Sequence, residues 1–598
     1  MGCDQTKIRS PVASIHRNSN IERKSVFSYN SDEHHTLSIL PEVPPSDLSP
    51  IDKDAFTTTV CQQRQKSIDN LVYRETIDKW KPSSIEALVN SIQELSANKN
   101  KIDQAWIIFY WISENISYDT DAFFSNQIGT QDAISAFQNR TAVCDGYSSL
   151  YAELCNRIGV QCFKVNGYAK GFEFDPRQMS FDEINHAWNI IILEEDHSYF
   201  VEPTWGSGYV DKKTHKYKKK LVSDYFLCRP EHMIYRHLPT DPDYQLLTHP
   251  ITIEQYLMLP YVYPAFFTYD LQIVSPAYSA KVDLVKDESY GLVIIKTPNS
   301  TIELSGSLED EAGNKIEGGH LVYLDKEDQA LWRCQFAPPK IGKYNIFIFV
   351  GQKSSQDQHS AAAVQFAFDV DHLPLPPISY PHIWSAFFDD NIEIIKPKNS
   401  RYIDWPSKAN TGYCKILVRS SDKVYVSAGL KDGLTGNNVT NGTLVNFDHE
   451  THIWHCLFAP SNTGVPFELT LFARRPNEDK SHSVAEFILR PIPNNALTQS
   501  MTFPERYLPF CNAKCLLIEP LNGVLERQSF VHFRCQIPGA QQVNVTVDGE
   551  WIEDDPWKPN ENDMFDGVIQ VGNKEVIIYA NFDSKSESYG GLLKYTVS

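Results

Sequence analysis

Three residues with the chemistry of a cysteine acyl-transfer site occur in one stretch of the chain. Cys144 offers a thiol, His186 an imidazole and Glu202 a carboxylate. In such sites the thiolate attacks a carbonyl carbon, the imidazole carries the proton, and an acid orients the imidazole. Taken singly, each of these residues also has a purely structural explanation. A buried cysteine, for example, mostly packs as a small hydrophobe, as we expect for Cys155 and Cys162. Together, the three residue types are the parts of a nucleophilic cysteine site.

The elements around these residues must bring them together. The segment after Cys144 is amphipathic and closes at Gly159, which predicts a helix with Cys144 at its first turn. The free amides and the dipole of that turn favour a thiolate, and the Cys144 amide is the default oxyanion donor. Alternating residues predict one strand beginning at His186 and another ending at Glu202. A helix against this antiparallel sheet would assemble the three groups.

Four short motifs resemble the papain-like cysteine domain of the transglutaminase-like superfamily. They are W-I-x-x-x-I-x-Y-D at 111–119, V-C-D-G-Y-S at 143–148, H-A-W-N at 186–189 and T-W-G-S-G at 204–208. The segments after residue 222 are similar to the extension found in the kyphoscoliosis peptidase and hillarin-like branch. The resemblance implies an α+β papain-like (transglutaminase-like) cysteine domain followed by all-β immunoglobulin-like sandwich domains.

The resemblance also implies a role for each candidate residue. Cys144 would be the nucleophile, His186 the general base and then the acid, and Glu202 the orienting carboxylate. The family usually has Asp at the third position, so Glu202 adds one methylene. Since imidazole orientation is sensitive to about 1 Å, two functions stay open. One is a cysteine peptidase or protein-glutamine acyltransferase acting on proteins; the other is a weak or inactive scaffold that binds cytoskeletal proteins.

The rest of the chain predicts several domains. Residues 331–338 (LWRCQFAP) return as 453–460 (IWHCLFAP), which indicates repeated sandwich domains with buried Trp and Cys. The predicted boundaries are a disordered N-terminal tail at 1–67, the transglutaminase-like core at 68–215, the extension at 216–269, and immunoglobulin-like domains at 270–372, 384–492 and 503–598.

The N-terminal sequence MGCDQT carries a lipidation pattern. Gly2 with Thr6 fits myristoylation, and Cys3 could take a palmitoyl chain. The first 25 residues hold five basic and two acidic side chains, a net charge of +3 that favours anionic lipid. We therefore expect two acyl groups to tether the protein to the cytoplasmic face of a membrane. A basic stretch, DKKTHKYKKK at 211–220, is either a solvated loop or a second contact with acidic partners.

Overall composition narrows the function classes. The chain of 598 residues has a formal net charge of −20, which argues against a general nucleic-acid binder. Its start has no apolar signal core, and its 12 cysteines are not clustered as in metal sites, so we expect reduced thiols in the cytoplasm. The sequence predicts no cofactor and no metal.

Overall fold

A computed structural model describes residues 47–172, 174–193, 197–353, 360–405, 412–460, 464–491, 501–552 and 557–598. The chain forms two compact units. The first comprises Met1–Asp283, Val293–Ser305 and Asn345–Asp369; the second comprises Leu284–Leu292, Gly306–Tyr344 and Val370–Ser598. The candidate site residues all belong to the first unit.

The α+β part of the first unit contains eleven helices among its described residues. They are α1 Thr58–Ile68, α2 Leu71–Ile77, α3 Ile85–Leu95, α4 Lys101–Asn115, α5 Thr120–Ser125, α6 Ala133–Asn139, α7 Cys144–Arg157, α8 Pro203–Ser207, α9 Pro230–Met233, α10 Ile253–Met258 and α11 Pro264–Thr268, with short 3-10 turns at Ser223–Tyr225 and Pro242–Gln245. The strands are β1 Ser117–Tyr118, β2 Thr141–Ala142, β3 Gln161–Ala169, β4 His186–Ile192, β5 Ser198–Val201, β6 Gly208–Val210, β7 Tyr217–Lys219, β8 Phe226–Cys228, β9 His237–Pro239, β10 Tyr261–Val262 and β11 Gln272–Ser275.

Helix α4 is the centre of the hydrophobic core. Trp106 and Trp111 on this helix are fully buried, and Tyr147, Leu150 and Tyr151 of α7 belong to the same cluster. Burying an aromatic side chain of this size removes about 150–250 Å² from water. The apolar face of α7 is therefore fixed against α4, and this fixes the position of the N-terminal end of α7.

An antiparallel sheet in the order β8-β5-β4-β3-β9 carries the other candidate residues. His186 at the start of β4 pairs with Gly167 of β3, which also pairs with Pro239 of β9. A side chain at Gly167 would place its Cβ 2.2 Å from the Leu238 carbonyl oxygen, so this close approach of strands requires glycine. The narrow crossing brings β9 close to His186.

The folded region begins earlier than the predicted boundary at residue 68. Helix α1 starts after Thr57, whose side chain accepts a hydrogen bond from the Val60 amide, and Arg64 on α1 donates to the Phe226 and Ser223 carbonyls at 2.6 and 2.7 Å. The polar composition that suggested a tail here is the composition of a capped surface helix. The part of the tail prediction that covers residues 47–67 is therefore wrong.

Short strands predominate among the described residues after β11. The strands of the first sandwich are β12 Gly291–Lys296, β13 Ile302–Asp310, β14 His320–Leu324, β15 Leu331–Phe336, β16 Gly342–Gln352 and β17 Ala361–Val370. Those of the second sandwich, with helix α12 Ser385–Asp389, are β18 His382–Ile383, β19 Glu393–Lys396, β20 Tyr402–Trp405, β21 Cys414–Arg419, β22 Tyr425–Asp432, β23 Thr443–Asp448, β24 Ile453–Phe458, β25 Phe467–Arg474 and β26 His482–Pro491.

A third sandwich completes the second unit. Its elements, with helix α13 Leu508–Asn512, are β27 Glu505–Arg506, β28 Leu516–Glu519, β29 Val524–Leu525, β30 Phe530–Gln536, β31 Gln542–Val547, β32 Glu550–Trp551, β33 Met564–Gln570, β34 Glu575–Asn581 and β35 Gly590–Val597. The repeated Trp and Cys lie in the corresponding strands β15 and β24. All four side chains are buried: Trp332, Cys334, Trp454 and Cys456. The prediction that these Trp and Cys side chains lie in the core is confirmed.

Candidate active site

Cys144 is the first residue of α7, as the sequence predicts. Val143, the residue that precedes the helix, forms no side-chain cap, and its own amide donates to Gln131 Oε1 at 3.0 Å. The first-turn amides therefore have no capping side chain. A side chain at Gly146 would put Cβ 2.6 Å from the same Gln131 oxygen, so glycine lets this loop pack against the helix end.

His186 and Glu202 form the polar centre of the site. His186 Nε2 lies 2.6 Å from Glu202 Oε2, and both side chains are buried, Glu202 completely. Glu202 Oε1 meanwhile accepts hydrogen bonds from the amides of Thr204 and Trp205 at 2.7 and 3.0 Å. The carboxylate thus caps α8 with one oxygen and holds the imidazole with the other. The extra methylene of glutamate is accommodated by this double attachment.

The charges of the site favour an imidazolium. Burial alone would lower the pKa of His186, but the Glu202 carboxylate and then Cys144 outweigh it and raise the pKa to about 10. Burial would raise the pKa of Glu202, but His186 holds it well below its usual range. A side-chain hydrogen bond to Cys144 contributes to the His186 shift. Because Nε2 faces Glu202, Nδ1 is the nitrogen left for the sulfur.

Tyr118, which belongs to the motif at 111–119 but was given no role from the sequence, interacts electrostatically with Cys144. Strand β1 pairs with β2 so that Tyr118 is opposite Ala142, two residues before Cys144. Burial raises the pKa of Tyr118 far above its usual value, and the charges on Cys144 and Glu202 raise it further. The phenol therefore stays protonated and can donate a hydrogen bond near the nucleophile.

A second histidine, His237 on β9, was also missed by sequence reasoning. Its Nε2 is 3.3 Å from Glu202 Oε2, and its ring centre is 4.3 Å from that of Trp205, which in turn lies 5.1 Å from His186. The Arg236 guanidinium lies 4.2 Å over the Trp205 ring. Burial lowers the pKa of His237 to about 4, so this ring is neutral at pH 7. Only the sheet order, which no local motif records, could have placed it here.

Two histidines and a carboxylate lie close together in the site and form a candidate set of metal ligands. The candidate ligand atoms of His186, Glu202 and His237 lie within 4.8 Å of one another. Such a set suits zinc or iron. Glu202 Oε2 already accepts a short hydrogen bond from His186, however, and a metal there would replace that bond. The absence of a metal cofactor stays a prediction.

Aromatic side chains form an exposed rim next to Tyr118. Phe123 and Phe124 on α5 are 36% and 39% exposed, and their rings lie 5.2 Å apart. Phe124 also stacks on His215 at 4.9 Å, and Tyr118 is 5.8 Å from Phe123. His215 belongs to the turn between β6 and β7. Six exposed lysines lie in and next to this hairpin: Lys212, Lys213 and Lys216 in the turn, Lys218 and Lys219 in β7, and Lys220 just after it. The aromatic rim therefore lies between the site and a basic hairpin.

The predicted acylation sites Gly2 and Cys3 lie outside the described residues. Among the helices that the structure does describe, none has the length and apolar character needed to cross a bilayer.

Comparisons with known proteins match two parts of the chain to families. Residues 87–203 match the transglutaminase-like superfamily, and residues 253–373 and 375–491 match the KY-like, immunoglobulin-like domain. The predicted fold class, a transglutaminase-like domain followed by all-β immunoglobulin-like domains, is confirmed. The first match contains Cys144, His186 and Glu202.

Relatives among curated proteins extend over most of the chain. Human kyphoscoliosis peptidase is 26% identical over 86% of this chain and 75% of its own length. Hillarin of Drosophila melanogaster is 24% identical over 39% of this chain and 27% of its own length. Cytokinesis protein 3 of Saccharomyces cerevisiae is 24% identical over 47% and 32% respectively.

Proposed function

Because the chain belongs to the kyphoscoliosis peptidase and hillarin-like branch of the transglutaminase-like superfamily, we propose that it is a cysteine acyl-transfer enzyme that acts on proteins. The observation that carries this proposal is the 2.6 Å contact between His186 and Glu202, with Cys144 at the start of α7 and interacting with the same imidazole. The glutamate in place of the usual aspartate reaches the histidine.

The reaction follows from these positions. The Cys144 thiolate attacks the carbonyl carbon of a glutamine side chain or a peptide bond. The tetrahedral oxyanion takes hydrogen bonds from the Cys144 amide and from Tyr118, whose pKa keeps it a donor. The imidazolium of His186 protonates the leaving nitrogen, the C–N bond breaks, and a thioester on Cys144 remains. Water or a primary amine then attacks the thioester while His186 removes its proton, the C–S bond breaks, and the acid or amide product leaves with the Cys144 thiolate and the His186 imidazolium restored.

The surroundings of the site favour a polypeptide substrate. The exposed rings of Phe123 and Phe124 offer apolar contacts beside Tyr118, and the neighbouring hairpin offers positive charge. Aromatic side chains are enriched where proteins bind each other. We infer a substrate segment with apolar residues near the reacting carbonyl and acidic residues further along.

An amine-incorporation assay tests this function. The full chain is incubated with dimethylcasein and a fluorescent primary amine, and casein labelling and casein cleavage are followed separately. We expect one of the two products with the wild-type chain and neither with Cys144→Ala or His186→Ala. A matched Cys155→Ala control removes a buried thiol away from the site and should keep activity. Equal product from Cys144→Ala would refute the proposal.

A scaffold function is the second candidate, favoured by the immunoglobulin-like domains. Two of the relatives above are named for kyphoscoliosis and cytokinesis, and we propose cytoskeletal proteins as partners. The two functions differ in one outcome. A scaffold would bind cytoskeletal proteins equally well with Cys144→Ala, and the wild-type chain would form no product in the assay above.

We further propose that acylation at Gly2 and Cys3 tethers the chain to the cytoplasmic face of a membrane, on the strength of the MGCDQT sequence and the +3 charge of the first 25 residues. Gly2→Ala should move the protein from the membrane fraction to the soluble fraction of cells. Unchanged partition would refute the tether.

A further inference from the structure

His237 lines a cavity of about 220 Å³. Cys144, His186 and Glu202 are not part of its lining. Its walls come from α1 and the residue before it, from residues 224–237, and from residues 262–268. Most of the lining thus belongs to the extension that follows the catalytic core. Its volume is below the 300–1,000 Å³ of drug-sized pockets and equals that of roughly seven waters.

The cavity combines apolar walls with an excess of positive charge. Apolar surface comes from Phe56, Met233 and Phe267. Three arginines also line the cavity: Arg64, Arg229 and Arg236. The lining contains a single carboxylate, that of Asp224. The imidazole of His232, which also lines the cavity, stacks on Phe267 at 4.1 Å, and burial lowers its pKa to about 4. This balance suits an anion with a short apolar tail.

Three buried nitrogens of Arg236 and His237 form no hydrogen bond among the described residues: Arg236 Nε, His237 Nδ1 and His237 Nε2. His237 Nε2 lies 3.3 Å from Glu202 Oε2, which leaves Arg236 Nε and His237 Nδ1 for a ligand. The Arg236 guanidinium is held in place, because Nη2 donates to Tyr261 Oη at 2.7 Å and to the Lys170 carbonyl at 3.0 Å. Buried polar groups without partners are unfavourable, so a ligand that pairs with Arg236 Nε and His237 Nδ1 is favoured.

Arg236 Nε and His237 Nδ1 require different hydrogen-bond partners. Arg236 Nε is a donor and needs an acceptor such as a carboxylate oxygen. The neutral ring of His237 has Nε2 directed at the Glu202 carboxylate at 3.3 Å, so the proton belongs on Nε2 and Nδ1 is an acceptor. A hydroxyl next to the carboxylate would donate to it. A short-chain 2-hydroxy acid has both groups at adjacent carbons.

We propose that this cavity binds a short-chain 2-hydroxy acid and that its occupancy controls the reactivity of Cys144. The control would pass through His237, which touches the same Glu202 oxygen that holds His186. A hydroxyl on Nδ1 fixes the ring and its contact with Glu202, and so fixes the orientation of the catalytic imidazole. The regulatory half of this proposal rests on the proposed function, whereas the binding half does not.

Calorimetric titration of the full chain tests the binding half. The probes are 2-hydroxyhexanoate, hexanoate and 1-hexanol, which remove first the hydroxyl and then the charge. We expect affinities in that order, with at least a tenfold loss for 1-hexanol. Equal affinity for 1-hexanol would show that the cavity does not recognise the acid group, and no detectable heat with any probe would show that it binds none of them; either result would overturn the proposal.

Variants at the wall locate the binding. Cys61→Phe fills the cavity and should abolish binding, while Gln62→Phe, its exposed neighbour on α1, should not change it. Arg229→Gln removes a charge without filling the space and should weaken the acid at least threefold but not 1-hexanol. Melting temperatures identify a variant that fails to fold. Wild-type affinity in folded Cys61→Phe would refute the site.

Alkylation of Cys144 by iodoacetamide, followed by peptide mass spectrometry, tests the regulatory half. Saturating 2-hydroxyhexanoate should change the rate at Cys144 at least threefold in the wild type and leave it unchanged in Cys61→Phe. Binding without a change in rate would refute the control. A wild-type Cys144 that reacts no faster than a buried cysteine would refute the proposed function instead, while the calorimetric result would stand.

Discussion

Replacing Glu202 by glutamine removes the charge that holds His186 in its imidazolium form. The substitution keeps the length of the side chain and its Oε1, so the bonds from the Thr204 and Trp205 amides can remain. The contact with His186 Nε2 loses its negative charge. We expect the pKa of the imidazole to fall and the thiolate–imidazolium pair to become less stable relative to the neutral thiol–imidazole pair.

The size of the effect follows from the pKa of His186. A rise from 6.5 to about 10 corresponds to roughly 5 kcal/mol at about 1.4 kcal/mol per unit. Glu202 is the larger of the two charges responsible, ahead of Cys144. Since the Cys144 charge acts in the same direction as the Glu202 charge, about half of this total, roughly 2 kcal/mol, is assigned to Glu202. That loss corresponds to a factor of roughly 30 in the equilibrium constant for proton transfer from the Cys144 thiol to the imidazole.

The assay is the rate of Cys144 alkylation at pH 7, measured by peptide mass spectrometry. Glu202→Gln should slow the reaction by up to about 30-fold, and Glu202→Asp by less, because it keeps the charge but shortens the reach. Glu183→Gln, an exposed acid near the start of β4, is the matched control and should react like the wild type. A rate within twofold of the wild type for folded Glu202→Gln would refute the electrostatic reasoning.

Three further results are expected. The charged His186 stabilises the folded state fully below pH 6.5, and this stabilisation is lost as the pH rises through about 10, because the pKa of His186 is raised in the folded protein. In urea unfolding, the difference in free energy of unfolding between the wild type and His186→Gln should therefore shrink from pH 6 to pH 10. A constant difference would contradict this expectation. Phe124→Ser should lower the rate with a protein substrate at least threefold without changing Cys144 alkylation, since its exposed ring touches only the rim; equal losses in both assays would count against a docking role. Gly146→Ala should slow alkylation and destabilise the fold by about 1–2 kcal/mol, since its Cβ would lie 2.6 Å from Gln131 Oε1; a stabilised variant in the same urea titration would show that this loop yields.

Local patterns were sufficient to predict the elements of the site. The amphipathic segment predicted to end at Gly159 is α7, with Gly159 at a φ of +86° just after the helix end. Buried Trp332 and Trp454 likewise follow from alternation within a strand. Each of these features depends on residues close in sequence.

The groups that sequence reasoning missed depend on contacts between distant segments. His237 reaches Glu202 only because β9 joins the sheet beside β3, across the crossing at Gly167. The early start of the fold has the same cause, since Arg64 on α1 is held by the carbonyls of Ser223 and Phe226. Periodicity carries no record of such pairings.

The central claim, an acylatable cysteine activated by His186, is tested most directly by trapping the acyl-enzyme. The full chain is mixed with p-nitrophenyl acetate at pH 7, and nitrophenolate release and the mass of the Cys144 peptide are followed together. A rapid release with an acetyl thioester on Cys144, absent from His186→Ala and at least tenfold slower in Glu202→Gln, is the predicted result. Acetylation of Cys144 that is no faster than that of the partly exposed Cys61 and Cys511 would contradict the account.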